Sequence, residues 1–238
     1  MLARHAGAPG GGLLMDQHKR ARRSLVTGMG AAAAAVALAG TRVGAQAQAP
    51  PPAPPPATAF KPVRHDKDAW LDKIPGKHRM VLDVTSATGV GEALGFANNL
   101  FTGNKTGYNL DDADLAMVIC LRHSATVFAF TDPLWAKYGK AMADAVKYTS
   151  RTGEPPTTNP YNAAPRSAFD GLAKRGVQFM VCDTASHRFA RMLAGSGDGE
   201  AVYKEMAANM IPSSRFMPAG VVGTTRAQEY GYSLLFVG

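Results

Sequence analysis

Residues 171–195 read "GLAKRGVQFMVCDTASHRFARMLAG". A helical face closing at Leu172 meets Gly176, a natural helix C-cap. A mostly apolar run, residues 177–181 with Gln178 as its one polar member, follows and ends at Cys182. A short, mainly apolar run bounded by turn signals suits a strand buried on both faces. "TASHRFARMLAG" then returns to helical periodicity. Helix, glycine, strand and helix in this order predict an α/β domain built on parallel strands.

The flanking sequence repeats the alternation. Residues 78–86, "HRMVLDVTS", read as a first buried strand, and "ATGVGEALGFANNLFTGN" carries Val90, Leu94, Ala97, Leu100 and Phe101 at helical spacing. Residues 115–121 give a second continuous apolar strand. In "DPLWAKYGKAMADAV", Asp132 reads as an N-cap and Pro133 as the first helical residue. Residues 149–165, "TSRTGEPPTTNPYNAAP", have no periodicity and predict a long loop, placed where it can lie over a site. "EAVYKEMAANMIP" is a further amphipathic helix. Two short strands, around Phe216–Met217 and residues 234–237, close the chain around one more helix. The expected fold is a three-layer α/β domain, a mainly parallel sheet of about five strands with helices on both faces. "GVG" at residues 89–91 is no dinucleotide fingerprint, because Leu94 stands where the third glycine belongs.

The first residues do not belong to that domain. Arg22 and Arg23 precede a run of roughly 16 mildly apolar residues, then "VGAQAQA". A basic region, a short apolar region and small residues before a cleavage point make an export signal over residues 1–47, cut after Ala45 or Ala47. It resembles a twin-arginine leader, with Ala21 in place of Ser or Thr and Leu25 in place of Phe, which implies a periplasmic protein without a stable membrane span after cleavage. Residues 48–59 hold six prolines and read as a Pro/Ala-rich spacer. The domain occupies residues 60–238. Of the 26 Lys and Arg, six lie in the first 45 residues with one of the 18 Asp and Glu, which leaves 20 against 17, a net +3. These charges are scattered rather than striped, so nucleic acid is not the expected partner.

The chemistry is sought at the carboxyl ends of the strands, where open α/β sheets bind ligands. Three segments converge there: Thr85-Ser86, Arg122-His123-Ser124 and Cys182-Asp183-Thr184. Cys182 stands between a strand end and a helix start, where unpaired N–H groups and the helix dipole favour a thiolate. Arg122, His123, His187 and Arg188 can add positive charge, and Asp183 opposes it. An inert, buried Cys182 is the alternative. Cys120 lies within "AMVICLRH" and reads as core, with a Cys120–Cys182 disulfide left open. No CxxC or HxxxH spacing marks a metal site, and no motif names a cofactor. Asn98, Asn99 and "RAQEYGY" at residues 226–232 are polar enough to reach a site or a subunit interface.

The order of "GEALGFANNLF", "ADLAMVICLRH", "GLAKRGVQFMVCDTA" and "PAGVVGTTRAQEYGYSLLFVG" resembles DsrE/DsrF-like proteins, which include the TusBCD sulfur-relay components. The resemblance covers residues 79–238 and rests most on the Leu-x-x-x-Gly-Val-x-x-x-Val-Cys run ending at Cys182. It implies a persulfide carried on Cys182, with Arg122 and His123 serving the thiolate or an anionic sulfur species. It also implies a sulfur donor or acceptor protein as partner and a homo-oligomer, trimer or hexamer. Two features depart from the relay members: the export signal, and the long loop with the "LRHSATVFAF" segment. The alternatives are a non-catalytic module that binds a small anion or cofactor fragment, and an assembly subunit.

Overall fold

A computed structural model describes residues 61–162 and 168–238. The residues read as an export signal and a proline-rich spacer lie outside the described residues, as does the end of the long loop. In chain order the elements are α1 (Trp70–Lys73), β1 (His78–Val84), α2 (Ala87–Tyr108), β2 (Leu115–Leu121), α3 (Asp132–Ala145), α4 (Phe169–Lys174), β3 (Gln178–Cys182), α5 (Asp183–Ala194), α6 (Gly199–Ala208), β4 (Ser214–Met217), α7 (Gly220–Glu229) and β5 (Ser233–Val237). The five strands form one sheet in the order β4-β3-β2-β1-β5. Every pairing is parallel. The predicted three-layer α/β fold is the one observed.

The order dictates where the helices go. Steps β1→β2→β3→β4 run in one direction across the sheet, and right-handed crossovers put all their helices on one face. Leu94 of α2, Trp135 of α3, Leu172 of α4, Phe189 of α5 and Met206 of α6 share a core there with Leu82, Ile119 and Val181. The step β4→β5 runs the other way, so α7 covers the opposite face. Ala227 of α7 packs there with Val81, Val118, Cys120 and Met180, and Leu71 of α1 completes the layer. The two edge strands are four spacings apart, about 19 Å at ~4.8 Å each, and a helix of 10 residues spans about 15 Å of it. Tyr230 and Tyr232, in the predicted polar stretch, anchor the N-terminal segment instead of reaching a site. Their hydroxyls donate to the carbonyls of His65 and Leu71 at 2.9 and 2.7 Å.

Helix ends follow their local chemistry. Ser86 caps α2 by accepting from the Gly89 N–H at 2.9 Å, and Asp198 caps α6 through the N–H groups of Glu200 and Ala201. Gly176 takes φ +96 just past α4, where its N–H bonds to Ala173 O and the N–H of Val177 to Leu172 O. That is the paired bonding of a Schellman stop, which needs the positive φ. Two expectations shift. Thr131, not Asp132, is the N-cap of α3, with Asp132 inside the first turn. The Asp132 carboxylate is used elsewhere, accepting from the Asn159 N–H at 2.8 Å. The described part of the long loop packs against the start of α2 and the 3₁₀ turn after β2. Buried Asn159 donates to the carbonyls of Phe128 and Phe130, and Tyr161 donates to Ala87 O at 2.6 Å. The described part of the loop therefore seals the helical layer. Asn98 is also drawn away, accepting from Arg175 at 3.1 Å beside an Arg175–Asp112 ion pair.

Among the described residues, the β5 edge of the sheet is unpaired. On β5, Leu234, Leu235 and Phe236 are 43%, 42% and 58% exposed, and the strand carries no charge or proline to blunt its edge.

Candidate functional site

Strands β3 and β4 are neighbours whose following helices, α5 and α7, lie on opposite faces. This makes their carboxyl ends the topological switch point, where the two chain paths part and leave a crevice. Register sets the contents of that crevice. Cys182 pairs with Met217 of β4, and Val181 pairs with Leu121 of β2. Arg122 therefore stands level with Cys182 on the neighbouring strand. The Arg122 N–H bonds back to Val84 O and the Ser124 N–H to Thr85 O, which ties the β2 exit to the β1 exit.

The crevice is a cleft of about 330 Å³ lined by Arg122, His123, Cys182, Thr184, Ala185, Arg188, Arg191, Ala219, Gly220 and Val221. The structure thus brings Cys182, His123 and Arg122 together from the β2 and β3 exits, whereas Thr85 and Ser86 of the β1 exit do not line the cleft. Cys182 is the N-cap of α5 and keeps 8% of its surface accessible. Gly220 begins α7, so the N-termini of helices of 12 and 10 residues border one cleft, and both dipoles favour an anion there. The Thr184 N–H and hydroxyl both donate to Pro218 O, the latter at 2.7 Å, which stitches the two helix starts together.

The groups differ in how free they are. Arg122 is committed: its Nε and Nη2 donate to the two oxygens of Asp83 at 2.6 and 2.8 Å. That bidentate hydrogen bonding raises the Arg122 pKa further above its ordinary value. Asp83 is buried between the apolar residues Leu82 and Val84 of β1, a setting in which a carboxylate signals a buried partner. His123 opens a 3₁₀ turn with φ 55, is exposed, and places Nδ1 3.1 Å from Ser124 Oγ. His187 is not in the cleft. It stacks on Tyr203 with ring centroids 3.7 Å apart. Asp183, which sequence places against the thiol, is turned away too, accepting from the Tyr203 hydroxyl at 2.6 Å. It lines a separate cleft of about 750 Å³ with His65, Trp70, Arg215 and Arg226. That larger space shares no lining residue with the one holding the thiol.

Within the cleft, Arg188 and Arg191 are the cations without a carboxylate partner among the described residues. The ion-paired arginines are Arg64, Arg79, Arg122, Arg175 and Arg226. Among the described residues, Arg188 and Arg191 have no carboxylate partner and both are exposed. Arg191 escapes a sequence reading centred on strand ends, although the i, i+3 spacing to Arg188 on a helix starting at the thiol is its signal. Gly220 escapes as well, because its role lies in close approach: a Cβ there would stand 2.3 Å from Arg122 Cβ.

Cys120 behaves as core. Both thiols are free, and Cys120 Sγ lies 3.6 Å from Gly220 O as its donor. Burial first, and then the negative charge of Asp83, push its thiol pKa far above the ordinary cysteine range. Among the described residues there is no group of three or more His, Cys, Asp or Glu placed to hold a metal ion. Among them, too, no helix is long and apolar enough to cross a membrane.

No family model matches the chain, and no curated protein does. Among solved structures it is similar to a protein of unknown function, MTH1491, from Methanobacterium thermoautotrophicum. Identity is 12%, coverage is 67% of this chain and 99% of that one, and the TM-score is 0.39. A likeness that distant carries no argument about activity.

Proposed function

We propose that the chain is an exported, DsrE/DsrF-like sulfur-handling protein in which Cys182 accepts and passes on a sulfane sulfur. One observation carries the reading: a largely buried thiol lines a cleft at the switch point of the sheet, bordered by two helix N-termini, His123 and two arginines that have no carboxylate partner among the described residues. Such a setting favours an anionic sulfur donor beside the thiol. In the transfer, the Cys182 thiolate attacks the terminal sulfur of a donor R–S–S⁻. A Cys182 S–S bond forms, the donor S–S bond breaks and R–S⁻ leaves, with no net oxidation. His123 is the group placed to take or return a proton in the cleft. Arg122, held by Asp83, positions the β2 exit and contributes a fixed charge rather than a free anion clamp. The reading includes a periplasmic location by the twin-arginine route, a protein partner in the relay and a homo-oligomer, for which the open β5 edge is the supporting surface.

The test is the intact mass of the mature protein after exposure to inorganic polysulfide. An adduct of about +32 Da per sulfur, lost in Cys182→Ser with the fold retained, is expected. Unchanged loading in Cys182→Ser overturns the assignment. The small exposure of Cys182 favours, as a second reading, a module that binds a small anion with the thiol inert. Under that reading, an anion is retained by Cys182→Ser and lost in His123→Ala.

A further inference from the structure

We infer that the Cys182 cleft takes an organic, anionic persulfide of peptide size, rather than an inorganic sulfur ion, as its sulfur donor. The inference rests on the sulfur-handling reading and names its substrate class. Three observations lead to it.

The first is volume. About 330 Å³ lies within the range of roughly 300–1,000 Å³ that pockets for small organic ligands occupy. It equals the liquid share of about eleven water molecules at ~30 Å³ each. A sulfur ion of four or five atoms leaves most of that space wet and touches few walls.

The second is the apolar part of the lining. Ala185, Ala219, Gly220 and Val221 present hydrocarbon between the charged groups. Val221 is 55% exposed at the start of α7. An inorganic anion gains nothing from that surface, whereas the carbon body of an organic donor loses water against it.

The third is the placement of charge. Arg188 and Arg191 are one helical turn apart on α5, whose first residue follows Cys182. Among the described residues neither is paired with a carboxylate. Carboxylates on the donor body meet guanidinium forks there, while its sulfane sulfur reaches the thiol between the two helix starts. The transfer balances as before: Sγ of Cys182 bonds the sulfane sulfur, the donor S–S bond breaks, and an organic thiolate departs.

The experiment compares two probes, glutathione persulfide and sodium tetrasulfide. Rates of adduct formation at Cys182 are read by intact mass on the mature protein, on Arg188→Ala/Arg191→Ala and on Val221→Ser. All three substituted positions are exposed, and thermal unfolding checks that the variants are folded. The expected result is at least about tenfold faster loading from glutathione persulfide in the parent protein. Each variant then loses that preference by about tenfold, the scale over which rim charges alter encounter rates. Equal rates for the two probes in the parent, or variants that keep the preference, overturn the inference while leaving the sulfur-handling reading intact. No adduct from either probe overturns both.

Discussion

The Arg122–Asp83 pair is the joint that fixes the β2 exit beside Cys182, and removing its cation has a calculable effect. Asp83 keeps only 7% of its side chain exposed, against 22% for Arg122. In Arg122→Met the methionine replaces the alkyl stem, but the carboxylate stays behind in an apolar layer with Val81, Val118 and Met180. Leaving one partner of a buried pair uncompensated costs about 3–5 kcal/mol. At about 2–4 °C per kcal/mol for a domain of this size, the melting temperature falls by roughly 6–20 °C. The double variant Asp83→Leu/Arg122→Met removes both charges and recovers most of the loss, because apolar replacement of a buried pair is close to neutral. Urea unfolding of the parent, each single variant and the double variant gives the coupling directly. If Arg122→Met costs under about 0.5 kcal/mol, as a surface change does, or if the double variant is no better than the single, then the pair is not buried as described.

Other consequences follow from neighbouring residues. Gly220→Ala sets a Cβ 2.3 Å from Arg122 Cβ and 2.8 Å from its Cδ. Because Cβ cannot swing aside as a side-chain tip can, overpacking of about 1–3 kcal/mol is expected in chemical denaturation, with slower modification of Cys182. Cys120 stays protonated and silent: native Cys182→Ser takes up no iodoacetamide at pH 8.5, and the same protein in urea takes up one equivalent. The raised Cys120 pKa also sets a sign for stability. The contribution is fully present below the unfolded thiol value near ~8.5 and declines as pH rises above it. Cys120→Ala flattens the alkaline limb of a stability–pH curve, and an unchanged limb contradicts the buried thiol. Phe236→Lys puts a charge on the open β5 edge, and the mass from light scattering is expected to fall toward the monomer. An unchanged mass removes β5 from any interface.

The fold was legible wherever a local pattern sufficed. Residues 115–121 are apolar without a break, and β2 is buried along its whole length. Gly176 marked the stop of α4, and the alternation of elements implied parallel strands. The site was legible only in part, because its geometry depends on register. Cys182, Arg122 and His123 stand at the carboxyl ends of two strands, β3 and β2, so the rule about carboxyl ends found them. The Asp83–Arg122 pair joins residues 39 apart in sequence, and only the β1–β2 register puts them together. Asp183 and His187 follow the thiol in sequence, yet Tyr203 of α6 draws both away from it, a tertiary contact that no local pattern announces. Thr131 took the cap position from Asp132 for a similar reason: Asn159, far along the loop, claims the carboxylate.

The most direct measurement is the site of sulfur uptake. The mature protein is exposed to glutathione persulfide, digested without reductant, and its two cysteine peptides are weighed. An adduct of about +32 Da on the Cys182 peptide, with Cys120 unmodified and loading lost in Cys182→Ser, is the predicted result. Uptake on Cys120, or none on either peptide while both thiols remain reduced, contradicts a sulfur-carrying role for the cleft.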